Sequence, residues 1–146
     1  MNLSSKPSVL FVVGQTASGK TSAALAIVDA LNRCGRAAEI VNADSRQVYR
    51  GMSIGTAKPT SDELSHAPHH LIGIVDPIDG FSLATFLLLA RASIKDILAR
   101  GATPIVVGGT GQYAWGLAEG WQAPEVPPNA AIRARLGAEA AEFGDS

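Results

Sequence analysis

The chain has 146 residues, 47% of them hydrophobic and 17% charged, with a mean hydropathy of +0.17 and a net charge of −1. That length suits one α/β domain rather than two, and the composition excludes general disorder. Apolar runs such as 8–13 and 83–90 stop far short of a membrane span, and a net charge near zero argues against a dedicated nucleic-acid binder.

The distribution of charge is more informative than its total. Residues 1–60 carry seven Lys and Arg against three Asp and Glu, whereas residues 61–146 carry five against ten. A polyanion should therefore meet the N-terminal part. The single cysteine, Cys34, allows no internal disulfide, and a reducing cytosol is the simplest setting.

Residues 8–13 form a continuous apolar run of strand length, as expected of a central parallel strand. Lys6 before it faintly resembles a signal peptide, but the run breaks at Gly14-Gln15-Thr16. Beyond that turn, Ala24, Ile27, Val28 and Leu31 recur at helical spacing, and Gly35 fits the position after a helix end. Ala37 to Asn42 reads as a second buried strand ending at Asp44. Arg50 to Pro59 is mostly loop, and Thr60-Ser61-Asp62-Glu63 has the capping-box pattern of a short helix. Leu71 to Val75 is a third candidate strand, stopped by Asp76-Pro77.

Ser82 then caps a helix that gathers Phe86, Ala90, Ile94 and Ile97 or Leu98 on one face, with Gly101 closing it. Pro104 to Val107 is a fourth strand that leads through Gly108-Gly109-Thr110-Gly111 into another helix. Alternating strands and helices predict a three-layer α/β fold with a parallel sheet. Residues 120–129, with three prolines, read as a linker. Asn129 can cap a last helix that carries Arg133, Arg135 and Leu136. With four legible strands and nothing after that helix, the sheet is expected to be incomplete at its C-terminal end, as in part of a longer protein.

Gly14-Gln15-Thr16-Ala17-Ser18-Gly19-Lys20-Thr21 matches G-x-x-x-x-G-K-[ST] at every fixed position, between an apolar strand and a helix. Its glycines let backbone N–H groups turn towards a phosphate. Lys20 neutralises charge, the helix N-terminus adds its dipole, and the Thr21 hydroxyl can ligate Mg²⁺. The motif implies di- or triphosphate binding but not hydrolysis, because the fourth strand ends in glycines rather than in an acid. Asp76 reads as a turn residue.

Three segments are expected at the C-terminal strand ends: the phosphate loop, Asp44 and Gly108 to Gly111. A carboxylate beside a polyphosphate is unfavourable unless it ligates Mg²⁺ or takes a proton, although Asp44 could equally cap a short helix that follows it. His66, His69 and His70 lack an assignable metal spacing and read as ordinary loop histidines. Trp115 and Trp121 read as core or linker packing, Arg133 and Arg135 as a solvated face, and Cys34 as partly buried.

The phosphate loop, the segment from Asn42-Ala43-Asp44-Ser45-Arg46-Gln47-Val48-Tyr49 to Gly55-Thr56-Ala57-Lys58-Pro59, then Pro68-His69-His70-Leu71-Ile72, Val75-Asp76-Pro77 and Gly108-Gly109-Thr110-Gly111 occur in that order. Together they closely resemble the bacterial tRNA dimethylallyltransferase family, from about Val9 to Arg135. The sequence departs from the family pattern at Gln15, Gly73 and Gln112, none of them a fixed phosphate-loop group or the acid at 44.

The resemblance implies a P-loop NTPase-like core over residues 1–119, a linker over 120–129 and the start of a helical tRNA-binding region over 130–146. It implies transfer of a dimethylallyl group from dimethylallyl diphosphate, with Mg²⁺, to N6 of the adenosine immediately 3′ of the tRNA anticodon. Gly14 to Thr21 would hold the diphosphate, Asp44 would be the general base, and Lys20 and Thr110 would complete the catalytic set. Asp44, Ser45, Arg46, Gln47, Thr110 and Arg133 would contact tRNA. The expected protein is a cytoplasmic monomer that partners the tRNA anticodon stem-loop and no membrane. A P-loop small-molecule or nucleotide kinase is the alternative, and a nucleotide-binding module without catalysis is a third.

Overall fold

A computed structural model describes residues 8–122 and 129–144. The proline-rich part of the expected linker, 123–128, lies outside the described residues. In chain order the elements are β1 (Leu10–Val13), α1 (Lys20–Arg33), β2 (Ala38–Asn42), α2 (Ser61–His66), β3 (His69–His70), α3 (Leu83–Ala99), β4 (Thr103–Gly108), α4 (Gly111–Ala118) and α5 (Ala130–Phe143). The four strands are parallel and lie in the order β1-β4-β2-β3.

Alternation along the strands explains the three layers. Ile40, Ile105 and Val107 meet Ala24 and Val28 of α1 on one face. Val41 and Val106 meet Phe86, Leu87 and Ala90 of α3 and Tyr113 of α4 on the other. The Phe86 and Tyr113 rings stack with centroids 4.0 Å apart, which gives an aromatic-poor core one large planar contact.

Local signals set the helix ends. Thr60 and Glu63 form the reciprocal capping box at α2. Ser82 accepts from the Thr85 N–H at the start of α3, and Asn129 accepts from the Ile132 N–H at the start of α5. After α1, Gly35 (φ 72°) lets its own N–H reach Asn32 and that of Arg36 reach Leu31, so the last carbonyls are satisfied.

Among the described residues β1 pairs with β4 alone, and Phe11 and Val13 are exposed, the latter 55%. One expectation about the sheet is corrected. The third strand is His69–His70, not Leu71 to Val75. Leu71 adopts φ 63° and turns the chain off the sheet, after which the Gly73, Ile74 and Val75 N–H groups bond to Gln47 and Val48. Two smaller readings also change, since Cys34 is exposed and Trp115 is 59% exposed.

Towards the strand N-termini, away from the phosphate loop, the buried Glu39 carboxylate is gripped by the Arg100 guanidinium and by His70 Nε2 at 2.7 Å. Arg100 also binds Asp96 at 2.9 Å. The hydrogen bond from Arg100, then that from His70, holds the Glu39 carboxyl below its ordinary value of 4.5, against the opposing effect of burial. A depressed folded value means that this stabilisation is complete above 4.5 and is lost as pH falls through the lower, folded value. Glu39→Gln should therefore cost about 2 kcal/mol at neutral pH, the scale of a hydrogen bond to a charged group. In thermal melts that difference should shrink in acid; a constant difference from neutral to acid pH would assign Glu39 to packing alone.

Candidate active site

The strand ends bring the expected segments together. Val107 accepts from the Ala43 N–H at 2.8 Å and Ala43 from the Thr110 N–H at 3.3 Å, so the ends of β2 and β4 are in backbone contact. A Cβ on Gly108 would lie 2.1 Å from the Ala43 oxygen. Only glycine allows this approach, which places Asp44 beside Gly109.

Asp44 divides its carboxylate between two tasks. Oδ1 accepts from the Arg46 N–H at 2.9 Å and the Gln47 N–H at 3.4 Å, the cap considered from sequence. Oδ2 turns the other way: a Cβ on Gly109 would lie 3.8 Å from it, 3.8 Å from Lys20 Nζ and 3.2 Å from the Gly14 carbonyl. A single point thus touches the carboxylate, the ammonium and the phosphate loop. No ion pair joins Asp44 to Lys20, whose ammonium instead donates to the Gln15 carbonyl. The carboxylate and the ammonium therefore face a common space without neutralising each other.

Neighbouring side chains fix this segment. Asn42 is buried, accepts from the Asp44 N–H at 3.2 Å and donates to the Leu71 carbonyl at 3.0 Å. Thr110 Oγ1 accepts from the Ser45 N–H at 2.9 Å and donates to Ser45 Oγ at 3.2 Å. Gln47 donates its amide to the Thr56 and Ala57 carbonyls at 3.1 and 3.0 Å. Its N–H groups are thus committed to the loop, leaving the amide oxygen as its free acceptor face. Arg46 is exposed.

A cavity of about 400 Å³ holds most of these groups. Thr16, Ala17, Ser18, Gly19, Lys20 and Thr21 form one wall, with Asn42, Asp44, Gln47, Lys58 and His69 around it. Gly14 and Gln15 instead border a second cavity of about 470 Å³, floored by Phe11, Val13, Ala114 and Trp115. Thr110 borders only the second. Arg133 is exposed on α5, and among the described residues no hydrogen bond or ion pair joins it to Asp44, Lys20 or Thr110.

His69 is a wall residue that the sequence reading passed over as an ordinary loop histidine. Its Nδ1–H donates to the Ala67 carbonyl at 2.7 Å, which leaves Nε2 as an acceptor. That Nε2 is buried without a partner among the described residues, and burial pushes the His69 pKa below its ordinary value. The Pro68-His69-His70 run was the available signal. His66 and His70 are engaged elsewhere, with Asp29 at 2.7 Å and Glu39 at 2.7 Å.

Among the described residues no three His, Cys, Asp or Glu side chains cluster as a metal cage. Thr21 and Asp44 do line the same cavity, and hard oxygen donors of this kind suit Mg²⁺, which keeps waters and substrate phosphates as its other ligands. The donor set therefore fits Mg²⁺ carried in with a phosphate ligand.

With the site in view, likeness to known proteins becomes specific. A family model described as IPP transferase matches residues 47–146. The chain is 53% identical over 136 residues to a tRNA dimethylallyltransferase of Roseiflexus sp. (strain RS-1), covering 93% of this chain and 43% of that protein. It is 51% identical over 128 residues to the tRNA dimethylallyltransferase of Bifidobacterium longum (strain NCC 2705), covering 88% and 38%. Among solved structures, it superposes on the full-length tRNA isopentenylpyrophosphate transferase from Bacillus halodurans with a TM-score of 0.75 and 40% identity, covering 95% of this chain and 44% of that one. A eukaryotic dimethylallyltransferase acting on tRNA gives a TM-score of 0.72 at 30% identity, over 94% and 32%. The chain thus spans less than half the length of these relatives.

Proposed function

This chain belongs to the IPP transferase family, and on that premise we propose that it carries the donor site and general base of a tRNA dimethylallyltransferase. The reaction moves a dimethylallyl group from dimethylallyl diphosphate to N6 of the adenosine 3′ of the anticodon. The observation that supports it best is the meeting of Asp44 Oδ2 and Lys20 Nζ, each 3.8 Å from the position a Cβ would take on Gly109. The named relatives are tRNA-directed transferases, which favours this reading over the kinase alternative.

The chemistry divides between the two groups. The adenine N6 is a weak nucleophile because its lone pair is conjugated into the ring, so removal of its proton helps attack. Asp44 accepts that proton through Oδ2 while the N6–carbon bond forms and the carbon–oxygen bond to diphosphate breaks. Charge then develops on the departing diphosphate, where the N–H groups of residues 14–21 and Lys20 stabilise it. Thr110 and Ser45 hold the Asp44 turn in place. The Thr21 hydroxyl would hold Mg²⁺, which when bound neutralises phosphate charge. To reach Asp44 the adenine must leave its stack.

In this reading Asp44 to Gln47, Thr110 and Arg133 face tRNA, and α5 begins a helical tRNA-binding region after the 120–129 linker. The protein works as a cytoplasmic monomer. No helix among the described residues is long and apolar enough to cross a membrane.

Lys20→Ala tests the donor site. It should weaken Mg²⁺-pyrophosphate binding about 10- to 100-fold in calorimetry, the worth of one charge-assisted hydrogen bond. Unchanged affinity would move the diphosphate off this loop.

A further inference from the structure

We propose that Ile54 is a wedge: its side chain enters the base stack of the acceptor RNA and fills the place that the target adenosine leaves. The proposal rests on the tRNA reading above, in which the adenine must leave its stack to reach Asp44. Ile54 is 98% exposed, and Met52, two residues before it, is 37% exposed. An apolar tip held in water forgoes the stabilisation that burial would give it.

The loop is built to hold that tip out. Gly51 and Gly55, on either side of it, adopt φ of 68° and 75°, where glycine carries no steric cost. The Ser53 N–H donates to the Gly51 carbonyl at 3.0 Å. Thr56 is buried and donates its hydroxyl to the Met52 carbonyl at 2.8 Å, which closes the turn beneath Ile54. Gln47 then pins the Thr56 and Ala57 carbonyls through its amide.

Its location and chemistry favour RNA bases as the partner. Thr56 and Ala57 line the 400 Å³ cavity together with Asp44 and Gln47, while Ile54 is not one of its wall residues. Ile54 therefore stands at the cavity rim, within about 7 Å of chain from that wall. The same stretch, residues 45–60, carries Arg46, Arg50 and Lys58 and no acid. A partner for an apolar tip in basic surroundings combines negative charge with apolar faces, and a nucleic-acid strand has both. Ile and Met are among the side chains that enter base steps and part them, and a base swung out to Asp44 leaves such a gap beside this rim.

Ile54→Ala and Ile54→Leu, made in a full-length protein carrying this sequence, provide the test. An anticodon stem-loop with 2-aminopurine at the target position reports unstacking as a rise in fluorescence on binding, in the presence of Mg²⁺-pyrophosphate. Single-turnover transfer to the unmodified stem-loop is measured in parallel. Ile54→Ala should lose about half or more of the fluorescence rise and about tenfold in transfer, because the gap in the stack is left unfilled. Ile54→Leu keeps the apolar bulk and should stay within about twofold of wild type in both. Melting midpoint and pyrophosphate affinity should be unchanged in either variant, since the side chain is exposed and off the cavity wall. A full fluorescence rise and normal transfer with Ile54→Ala overturn the wedge and leave the tRNA reading standing; no stem-loop binding by wild type overturns both. A Leu variant as weak as the Ala variant, or a matching loss of pyrophosphate affinity, would make Ile54 a structural residue and also overturn the wedge.

Discussion

Asp44→Asn is expected to lower dimethylallyl transfer to tRNA about 10²-fold or more in a protein carrying this sequence, the scale of a lost general base. Donor binding and folding should be preserved. The geometry makes the substitution clean, because the two carboxylate oxygens do different things. Oδ1 caps the turn through the Arg46 and Gln47 N–H groups, and an Asn oxygen caps nearly as well. Oδ2 is the oxygen facing Gly109 and Lys20, and the Asn amide that replaces it cannot take a proton. Single-turnover transfer at saturating donor is the measurement. Near-normal transfer would reduce Asp44 to a cap and remove the base from the mechanism.

Gly108→Ala should be the most damaging small substitution in the fold. Its Cβ would meet the Ala43 oxygen at 2.1 Å and the Ala43 carbonyl carbon at 2.2 Å, both backbone atoms held by the hydrogen bonds from Ala43 to Val107 and from Thr110 to Ala43. No rotamer change relieves a backbone clash. The ends of β2 and β4 must part, at a cost of about 3 kcal/mol or more. Denaturant midpoints measure that loss. Gly109→Ala is the informative neighbour: its closest contact is 3.2 Å, so folding should suffer far less, while the added methyl fills the point between Asp44 and Lys20. A Gly108→Ala protein as stable as wild type would show that the strand ends are not in contact.

Much of this was legible from local pattern. Gly14 to Thr21 is read by spacing alone because the loop's phosphate geometry is built from consecutive residues, and the strand before and helix after it have their own periodicity. The Thr60–Glu63 capping box, the Ser82 and Asn129 caps and Gly35 were equally readable, since each satisfies backbone groups within four residues of itself. Asp44 could be placed at a strand end, but sequence left cap and base as competing roles. The structure gives one oxygen to the cap and turns the other towards Lys20.

Tertiary structure decided whatever depends on which segments lie side by side. An apolar run such as Leu10–Val13 predicts a strand but not its neighbours, so the pairing of β1 with β4 appeared only with the sheet order. Leu71 is apolar and β-compatible in sequence, yet its left-handed φ of 63° is held by contacts with Asn42 from β2, and the strand ends at His70. The demand for glycine at 108 comes from Ala43, sixty-five positions away along the chain. The same holds for His69 Nε2, buried without a partner among the described residues. Caps and phosphate loops are short-range solutions to short-range hydrogen-bonding needs, and so the sequence alone determines them. Close approach and burial are properties of packing between distant segments, and only the folded chain determines those.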